Sequence, residues 1–121
     1  MSTYFVSGHL NLTHAEFLEH YKPKLDEALR DLSSKFVVGD ARGADTLAQK
    51  YLFSSGAEVT VFHMFKKPRN NVGNHRTRGG YTSDKERDEA MTAASDADIA
   101  WVRPGRKSSG TAKNLARRLK H

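Results

Sequence analysis

The sequence of 121 residues contains no cysteine. This absence excludes disulfides, thiolate metal ligands and cysteine nucleophiles, and it fits a reducing compartment. No apolar run approaches the ~20 residues that a membrane-spanning helix needs, so we expect no membrane partner. The first five residues lead directly into a strand-like run, without the basic segment and cleavage site of a signal peptide. We therefore expect a cytoplasmic protein.

Acidic residues are comparatively few. Lys and Arg number 20 against 14 Asp and Glu, which gives a formal net charge of +6. This excess fits an ordinary soluble basic protein, and it equally fits an anionic partner such as a nucleotide or a nucleic acid. The six histidines show no metal-ligand spacing such as HExxH, so we predict no metal site.

Hydrophobic periodicity alternates along the chain between strand-like and helix-like segments. It predicts four strands, over residues 3–7, 36–39, 58–63 and 97–102. It predicts helices over residues 13–33, 44–56 and 84–94, and from Gly110 onward. A capping box from Thr13 to Glu16 marks the start of the first helix, and Pro23 predicts a kink or break in it near Tyr21.

Strands that alternate with helices are typical of a parallel sheet with helices on both faces. We therefore predict one α/β domain over residues 1–121, a Rossmann-like doubly wound domain with a mainly parallel sheet of four to five strands. Right-handed crossovers favour the strand order 3-2-1-4, in which the chain reverses direction between the first and fourth strands. Ligands bind at such switch points, beyond the carboxyl ends of the strands.

Three segments rich in glycine and polar residues are expected to meet at this switch point. The segment after the second strand contributes Gly39, Asp40, Arg42, Gly43, Ala44 and Asp45. The segments after the first and fourth strands contribute Ser7, Gly8 and His9, and Ser109, Gly110 and Thr111. A glycine turn before a helix lets the backbone approach an anion, and the helix end supplies unpaired N–H groups. Arg42 adds a charge that can hold phosphate through two hydrogen bonds. We predict that these residues bind a small phosphate-bearing ligand; plain turn chemistry is the alternative.

Two acids flank Arg42 and are the candidate catalytic residues. Asp40 directly follows a strand end, where a carboxylate suits ribose binding or general acid–base chemistry. Asp45 falls in the first turn of a helix, where an acid also stabilises the helix dipole, so both roles stay open. Arg87 shares an apolar stripe with Met91, and a charge there needs a buried partner or a ligand. The alternative for Arg87 is a solvated face of ion pairs.

Residues 64–81 follow neither a helical nor a strand period. They carry five basic residues, three glycines and no acid. A loop of this length in a compact domain is usually functional or disordered. One interpretation is a lid in which Arg69, Arg76 and Arg78 close over a small anionic ligand. The other is a surface for single-stranded nucleic acid, for which Phe65 and Tyr81 supply the only nearby aromatic rings.

The segment from Gly39 to Asp45, together with the later Ser109, Gly110 and Thr111, resembles the SLOG superfamily of Rossmann-like domains. That superfamily includes the YpsA-like proteins, the LOG phosphoribohydrolases and the Rossmann domain of DprA, and the resemblance covers most of the chain. It implies that the crevice binds a nucleotide or a nucleotide-derived ligand, for sensing or for processing. No cofactor is certain from the sequence, and a nucleotide or nucleotide-derived ligand is the candidate.

The resemblance also implies two alternative functions. One is an N-glycosidic hydrolase or transferase that acts on nucleotides, and the other is a DprA-like binder of single-stranded nucleic acid. LOG enzymes carry a catalytic glutamate where this chain has Asn114, which favours binding over LOG-type cleavage. Small domains of this kind are commonly dimers, so a homodimer is a further expectation.

Overall fold

A computed structural model describes residues 2–105 and 110–119. Its strands are β1 (Thr3–Val6), β2 (Lys35–Gly39), β3 (Glu58–Met64), β4 (Arg76–Tyr81) and β5 (Ala97–Ile99). Its helices are α1 (His14–His20), α2 (Lys22–Leu29), α3 (Ala44–Ser54), α4 (Asp84–Ala93) and α5 (Gly110–Leu119). The predicted alternation of strands and helices is therefore confirmed.

The strands form one parallel sheet in the order β4-β3-β2-β1-β5. The four strands predicted from sequence have the predicted order, because the strand predicted as the fourth is β5. The chain reverses direction between β1 and β5, which places the switch point between these two strands. A parallel sheet with helices on both faces is consistent with a Rossmann-like fold.

Strand β4 corrects the prediction of one continuous loop over residues 64–81. Residues 76–81 pair in parallel with β3, with Arg76 opposite Thr60 and Arg78 opposite Phe62. Nearly the whole strand is exposed, so it has no alternation of apolar and polar residues that a sequence pattern could reveal. The irregular segment is shorter than predicted; we call residues 65–75 the β3–β4 connection.

The first predicted helix breaks at Tyr21, as Pro23 indicates. Thr13 Oγ1 accepts from the Glu16 N–H, and the Glu16 carboxylate accepts from the Thr13 N–H, so the predicted capping box is present. Helix α2 begins at Lys22 with Pro23 in its first turn, where the missing N–H removes no helical hydrogen bond. The break positions the Tyr21 side chain, which is fully buried, beneath the end of β1.

Apolar side chains are buried on both faces of the sheet. On one face Val6, Val38 and other strand residues pack with α1, α2 and α3. On the other face Phe5 and Phe62 pack with Met91 of α4. Because helices cover both faces of the sheet, the buried strands appear in the sequence as short apolar runs. Among the described residues, no helix combines the length and apolar character needed to cross a bilayer.

Candidate functional site

A cleft of about 450 Å³ lies beyond the carboxyl ends of β1 and β2, beside the start of α5. It coincides with the switch point of the sheet. Nine of the predicted site residues line this cleft: Ser7, Gly8, His9, Arg42, Asp45, Arg69, Arg87, Gly110 and Thr111. Six others do not line it: Gly39, Asp40, Gly43, Ala44, Arg76 and Arg78. Ser109 lies outside the described residues.

The loop after β1 forms one wall of the cleft. Ser7 is buried, and its Oγ has no hydrogen-bond partner in the described part of the chain. The Ser7 carbonyl accepts a hydrogen bond from the Tyr21 hydroxyl at 2.7 Å, and that hydroxyl accepts one from the Trp101 N–H at 3.1 Å. Burial raises the pKa of Tyr21 to about 12, so the bridging proton is retained at neutral pH. The Ser7 hydroxyl is therefore a buried polar group whose hydrogen-bonding capacity is unused among the described residues.

The first backbone N–H of α3 is hydrogen-bonded to the same loop. This differs from the prediction that the start of α3 has free N–H groups for an anion. The Ala44 N–H donates to the His9 carbonyl at 3.1 Å. Gly43, the residue before the helix, has a φ of +73°, and a Cβ there would collide with the carbonyl oxygens of His9 and Leu10. The His9 Nε2 accepts a hydrogen bond from the Arg103 N–H at 2.8 Å. His9 therefore joins the loops that follow β1, β2 and β5.

Asp40 lies beneath the cleft and bonds to two arginines that line it, Arg69 and Arg87. Its side chain is 1% exposed and accepts from the Arg69 backbone N–H at 2.7 Å, from Arg69 Nη2 at 2.9 Å and from Arg87 Nη1 at 2.8 Å. Burial alone would raise the pKa of Asp40, but the hydrogen bonds and charges of these two arginines hold it below its ordinary value. Because both carboxylate oxygens are already bonded, the geometry favours an ionised anchor over the catalytic role considered from sequence.

Three further carboxyl groups line the cleft near Arg87, those of Asp45, Asp84 and Asp88, of which Asp84 is exposed. Asp45 is 7% exposed, and its Oδ2 accepts from the Ala41 N–H at 3.1 Å. Burial raises the pKa of Asp45 to about 7, although the charge of Arg87 opposes the shift. Asp88 Oδ1 accepts from Arg87 Nε and Nη2 at 3.2 and 3.0 Å. Burial raises the pKa of Asp88 as well, against Arg87 and a hydrogen bond from Asn114. The cleft thus contains a carboxyl group that gains or loses its proton near neutral pH.

Arg87 has buried partners, which is one of the two options left open by the sequence. Its side chain is 8% exposed and pairs with the buried Asp40 and with Asp88; the exposed Asp84 lies 3.4 Å away as a third partner. A fully solvated ion-pair face therefore does not describe Arg87. Asp88 and Asn114 line the cleft but were not selected as site residues from sequence. Asn114 follows Thr111 by three residues, and this spacing places both on one helical face.

The cationic end of the cleft is formed by Arg42 and the start of α5. The Arg42 side chain is exposed and makes no hydrogen bond or ion pair within residues 2–105 and 110–119. Gly110 and Thr111 line the cleft in the first turn of α5, where backbone N–H groups have no partner within the helix. Arg69 is less available, because it is bonded to Asp40 and to Asp84.

The β3–β4 connection is anchored to the base of the cleft. Gln49 is fully buried; its Nε2 donates to the Gly39 carbonyl at 2.9 Å and to the Asn70 carbonyl at 3.2 Å. Its Oε1 accepts from the Val72 N–H at 2.7 Å. The Asn70 side chain in turn donates to the Asp40 carbonyl at 2.9 Å. These bonds tie the connection to both α3 and the end of β2.

The three arginines predicted as a lid are separated in the structure. Arg69 lines the cleft. Arg76 and Arg78 lie on β4 and line a second cavity, on the sheet face that carries α4. The grouping expected from sequence is corrected because pairing with β3 fixes these two residues away from the cleft.

Comparison of the chain with protein-family models, with curated proteins and with solved structures finds no match in any of the three. The fold and the cleft define the class: a Rossmann-like α/β domain with a polar cleft at its switch point. Within the described ranges 2–105 and 110–119, no group of three or more His, Asp or Glu side chains is arranged to hold a metal ion.

Proposed function

We propose that the cleft binds a nucleotide or a nucleotide-derived phosphate ligand, for sensing or for processing. The observation that carries this proposal is that basic groups and carboxyl groups line the same cleft. Arg42 and the start of α5 offer a positive charge and N–H donors, which suit a phosphate. Asp45 and Asp88 offer carboxyl oxygens, which suit the hydroxyl groups of a sugar.

The size and the remaining lining of the cleft support a ligand of this kind. A volume of about 450 Å³ falls within the roughly 300–1,000 Å³ that small-molecule sites occupy. Phe5 and Met91 contribute apolar surface to the lining, and Ser7 contributes a hydroxyl without a partner among the described residues. The resemblance of the glycine segments to the SLOG superfamily points to the same ligand class.

A thermal-shift screen tests this proposal. AMP, ADP, ADP-ribose and ribose 5-phosphate are compared with adenosine and with inorganic phosphate. A ligand present at 100 times its dissociation constant stabilises the folded state by ~2.7 kcal/mol, which is easily detected. We expect at least one phosphorylated compound to stabilise the protein more than adenosine does.

Two variants locate the phosphate. Arg42→Ala is expected to lose the stabilisation, whereas Arg30→Ala, at an exposed position at the end of α2, keeps it. A shift that is unchanged in Arg42→Ala, or adenosine acting as strongly as AMP, would overturn the placement of the phosphate. The absence of a shift with every compound would overturn the proposal itself.

A second candidate function is hydrolysis of the N-glycosidic bond of the bound ligand. It is favoured by Asp45, because general acid–base catalysis is most effective when the pKa of the group lies near the working pH. In this version the water oxygen bonds to the ribosyl carbon as the bond from that carbon to the base nitrogen breaks. Asp45 takes the proton that the water loses, and the departing base takes up a proton from solvent. A second carboxylate of the cleft offsets the positive charge that develops on the ribosyl carbon. Chromatographic detection of the free base tests it, with Asp45→Asn expected to abolish release. No release from any nucleotide that binds would exclude this version and leave binding intact.

A further inference from the structure

Strand β4 leaves one edge of the sheet uncovered. In the described part of the chain no strand pairs with its outer side, and residues 76–80 are exposed. An exposed edge presents unpaired backbone N–H and C=O groups that can hydrogen-bond to another strand. The pairing with β3 is regular over residues 76–78, before the register shifts between Phe62 and Met64. This edge therefore has the backbone geometry to accept an extended segment.

The sheet face beside this edge is basic. A cavity of about 360 Å³ lies there, which we call the basic groove, and it is lined in part by Lys35, Glu58, Arg76 and Arg78. Glu58 is paired with Lys35 at 3.5 Å. The guanidinium of Arg78 lies 5.3 Å from the centre of the Phe62 ring, which orients it along the sheet face. Arg76 and Arg78 have no acidic partner among the described residues.

The charges on β4 argue against a second copy of this chain as the occupant. Side chains directly opposite each other on neighbouring strands lie about 5 Å apart at Cβ, and like charges there are destabilising. Pairing of two β4 strands would bring Arg76 and Arg78 of one copy against the same residues of the other. A single-stranded nucleic acid is also disfavoured, because the rings of the groove, Phe36 and Phe62, are buried. The exposed Phe65, which is bonded to Tyr81 at the end of β4, offers one ring, whereas single-strand platforms stack successive bases on several.

We propose that the β4 edge binds an extended acidic segment of a partner protein, which adds to the sheet as a sixth strand. Alternate side chains of a strand point to the same face. Acidic residues at every second position of the segment therefore face Arg76 and Arg78, while its backbone pairs with β4. The site is separate from the cleft, and its occupancy does not depend on a ligand there.

Peptide binding measured by fluorescence anisotropy tests the proposal. The probe is a fluorescein-labelled twelve-residue peptide in which glutamate and valine alternate. The first comparison peptide has the same composition, with all the glutamates in one block. The second comparison is a single-stranded oligothymidylate that carries the same charge. We expect the alternating peptide to bind at least roughly tenfold more tightly than the block peptide, because only the alternating peptide presents its acids on one face.

Charge reversal on β4 tests the contacts. The double variant Arg76→Glu with Arg78→Glu is expected to weaken binding of the alternating peptide roughly tenfold. The matched control, Arg30→Glu with Lys50→Glu, changes the net charge equally at exposed positions that belong neither to β4 nor to the lining of the basic groove, and it should stay within about twofold of the wild type. Equal weakening by both double variants would show that net charge alone attracts the peptide, and it would overturn the proposal.

Hydrogen exchange on the wild-type protein gives a readout that needs no variant. Saturation with the alternating peptide should slow exchange of backbone amides within residues 76–81, because strand addition bonds the outward-facing N–H groups. Unchanged exchange of these amides in the bound state would overturn the proposal. Tighter binding of the oligothymidylate than of the peptide would assign the edge to nucleic acid instead, and self-association of the free protein through β4 would assign it to a second copy.

Discussion

Arg87 donates a hydrogen bond from Nη1 to Oδ1 of Asp40 over 2.8 Å, and both side chains are almost completely buried. Arg87 also donates to Asp88 from Nε and Nη2. The arginine therefore connects α4 to the end of β2, across the base of the cleft. A buried cation with two carboxylate partners is retained only when the whole set is present, since each charge is costly to bury alone.

Replacement of Arg87 by methionine is expected to destabilise the protein strongly. The substitution keeps a long apolar side chain but leaves Asp40 and Asp88 with one cation fewer in a buried setting. Removal of one partner from a buried ion pair costs about 3–5 kcal/mol. Urea denaturation at pH 7 measures the change. Arg30→Met is the control, because Arg30 is exposed, and it should change stability by less than about 0.5 kcal/mol. A loss below about 1 kcal/mol for Arg87→Met would contradict the role assigned to this residue.

The buried carboxyl group of Asp45 gives the protein a specific pH dependence. Its folded-state pKa of about 7 lies above its ordinary value of 3.8, so the folded state binds the proton more tightly than the unfolded state does. Stability from this group is therefore fully present below about pH 4 and is lost as the pH rises through about 7. Asp45→Asn removes the charge, so the variant should gain stability relative to the wild type across this window.

The magnitude of this effect follows from the shift. About three pKa units at ~1.4 kcal/mol each give Asp45→Asn an advantage of up to about 4 kcal/mol at pH 8, which vanishes near pH 4. Urea denaturation of both proteins at several pH values measures the difference. Glu89→Gln, the same acid-to-amide change at an exposed position on α4, is the control. A constant difference for Asp45→Asn would show that the pKa of Asp45 is the same in the folded and the unfolded state, and it would contradict the prediction.

The sequence predicts most element positions because these depend on local periodicity. The order of the predicted strands follows from these elements because right-handed crossovers leave few topologies. Strand β4 was missed for the same reason, since Arg76 to Tyr81 is exposed on both sides and becomes a strand only through pairing with β3. Pro23 predicts the break at Tyr21 because the effect of proline on a helix is local. Helices and strands were thus predictable where the pattern that indicates them lies within a few consecutive residues.

The cleft was only partly predictable, because its electrostatics arise from contacts between distant segments. The glycine segments indicate where the cleft lies. The partners of Asp40 are 29 and 47 residues away in the chain, at Arg69 and Arg87, and no local pattern identifies them. Closure of the α3 start by the carbonyl of His9 is likewise a tertiary contact. A sequence pattern can therefore suggest an anion site at Ala44 without revealing that its N–H is already bonded.

Alanine substitutions at Gly43 and Gly56 compare a crowded glycine position with an open one. Gly43 and Gly56 have similar positive φ values, +73° and +71°. A Cβ at Gly43 would collide with the carbonyl oxygens of His9 and Leu10, whereas one at Gly56 would meet open space. Gly56→Ala should cost about 1–2 kcal/mol, the penalty of the left-handed backbone alone. Gly43→Ala should cost more than about 3 kcal/mol, because the ψ of Gly43, −124°, lies outside the left-handed region and because the loop after β1 must also move. Thermal unfolding measures the stability of both variants. Equal losses of stability would mean that the loop after β1 moves at little cost.

Replacement of Gln49 by methionine tests the anchoring of the β3–β4 connection. The variant keeps the length of the side chain but removes the donor to the Gly39 and Asn70 carbonyls and the acceptor for the Val72 N–H. The free energy of unfolding should fall by about 1–3 kcal/mol, chiefly because the buried Gly39 carbonyl loses the hydrogen bond from Gln49.

Amide hydrogen exchange gives the more specific readout for Gln49. Amides of residues 69–75 should exchange faster in Gln49→Met, because the connection loses its bonds to α3, while amides of β1 and β2 change only by the global loss of stability. Lys50→Met, at the exposed neighbouring position on α3, is the control and should leave the exchange of residues 69–75 unchanged. If residues 69–75 exchange at the same rate in Gln49→Met and in the wild type, the connection is held by its remaining contacts, above all those between Arg69 and Asp40.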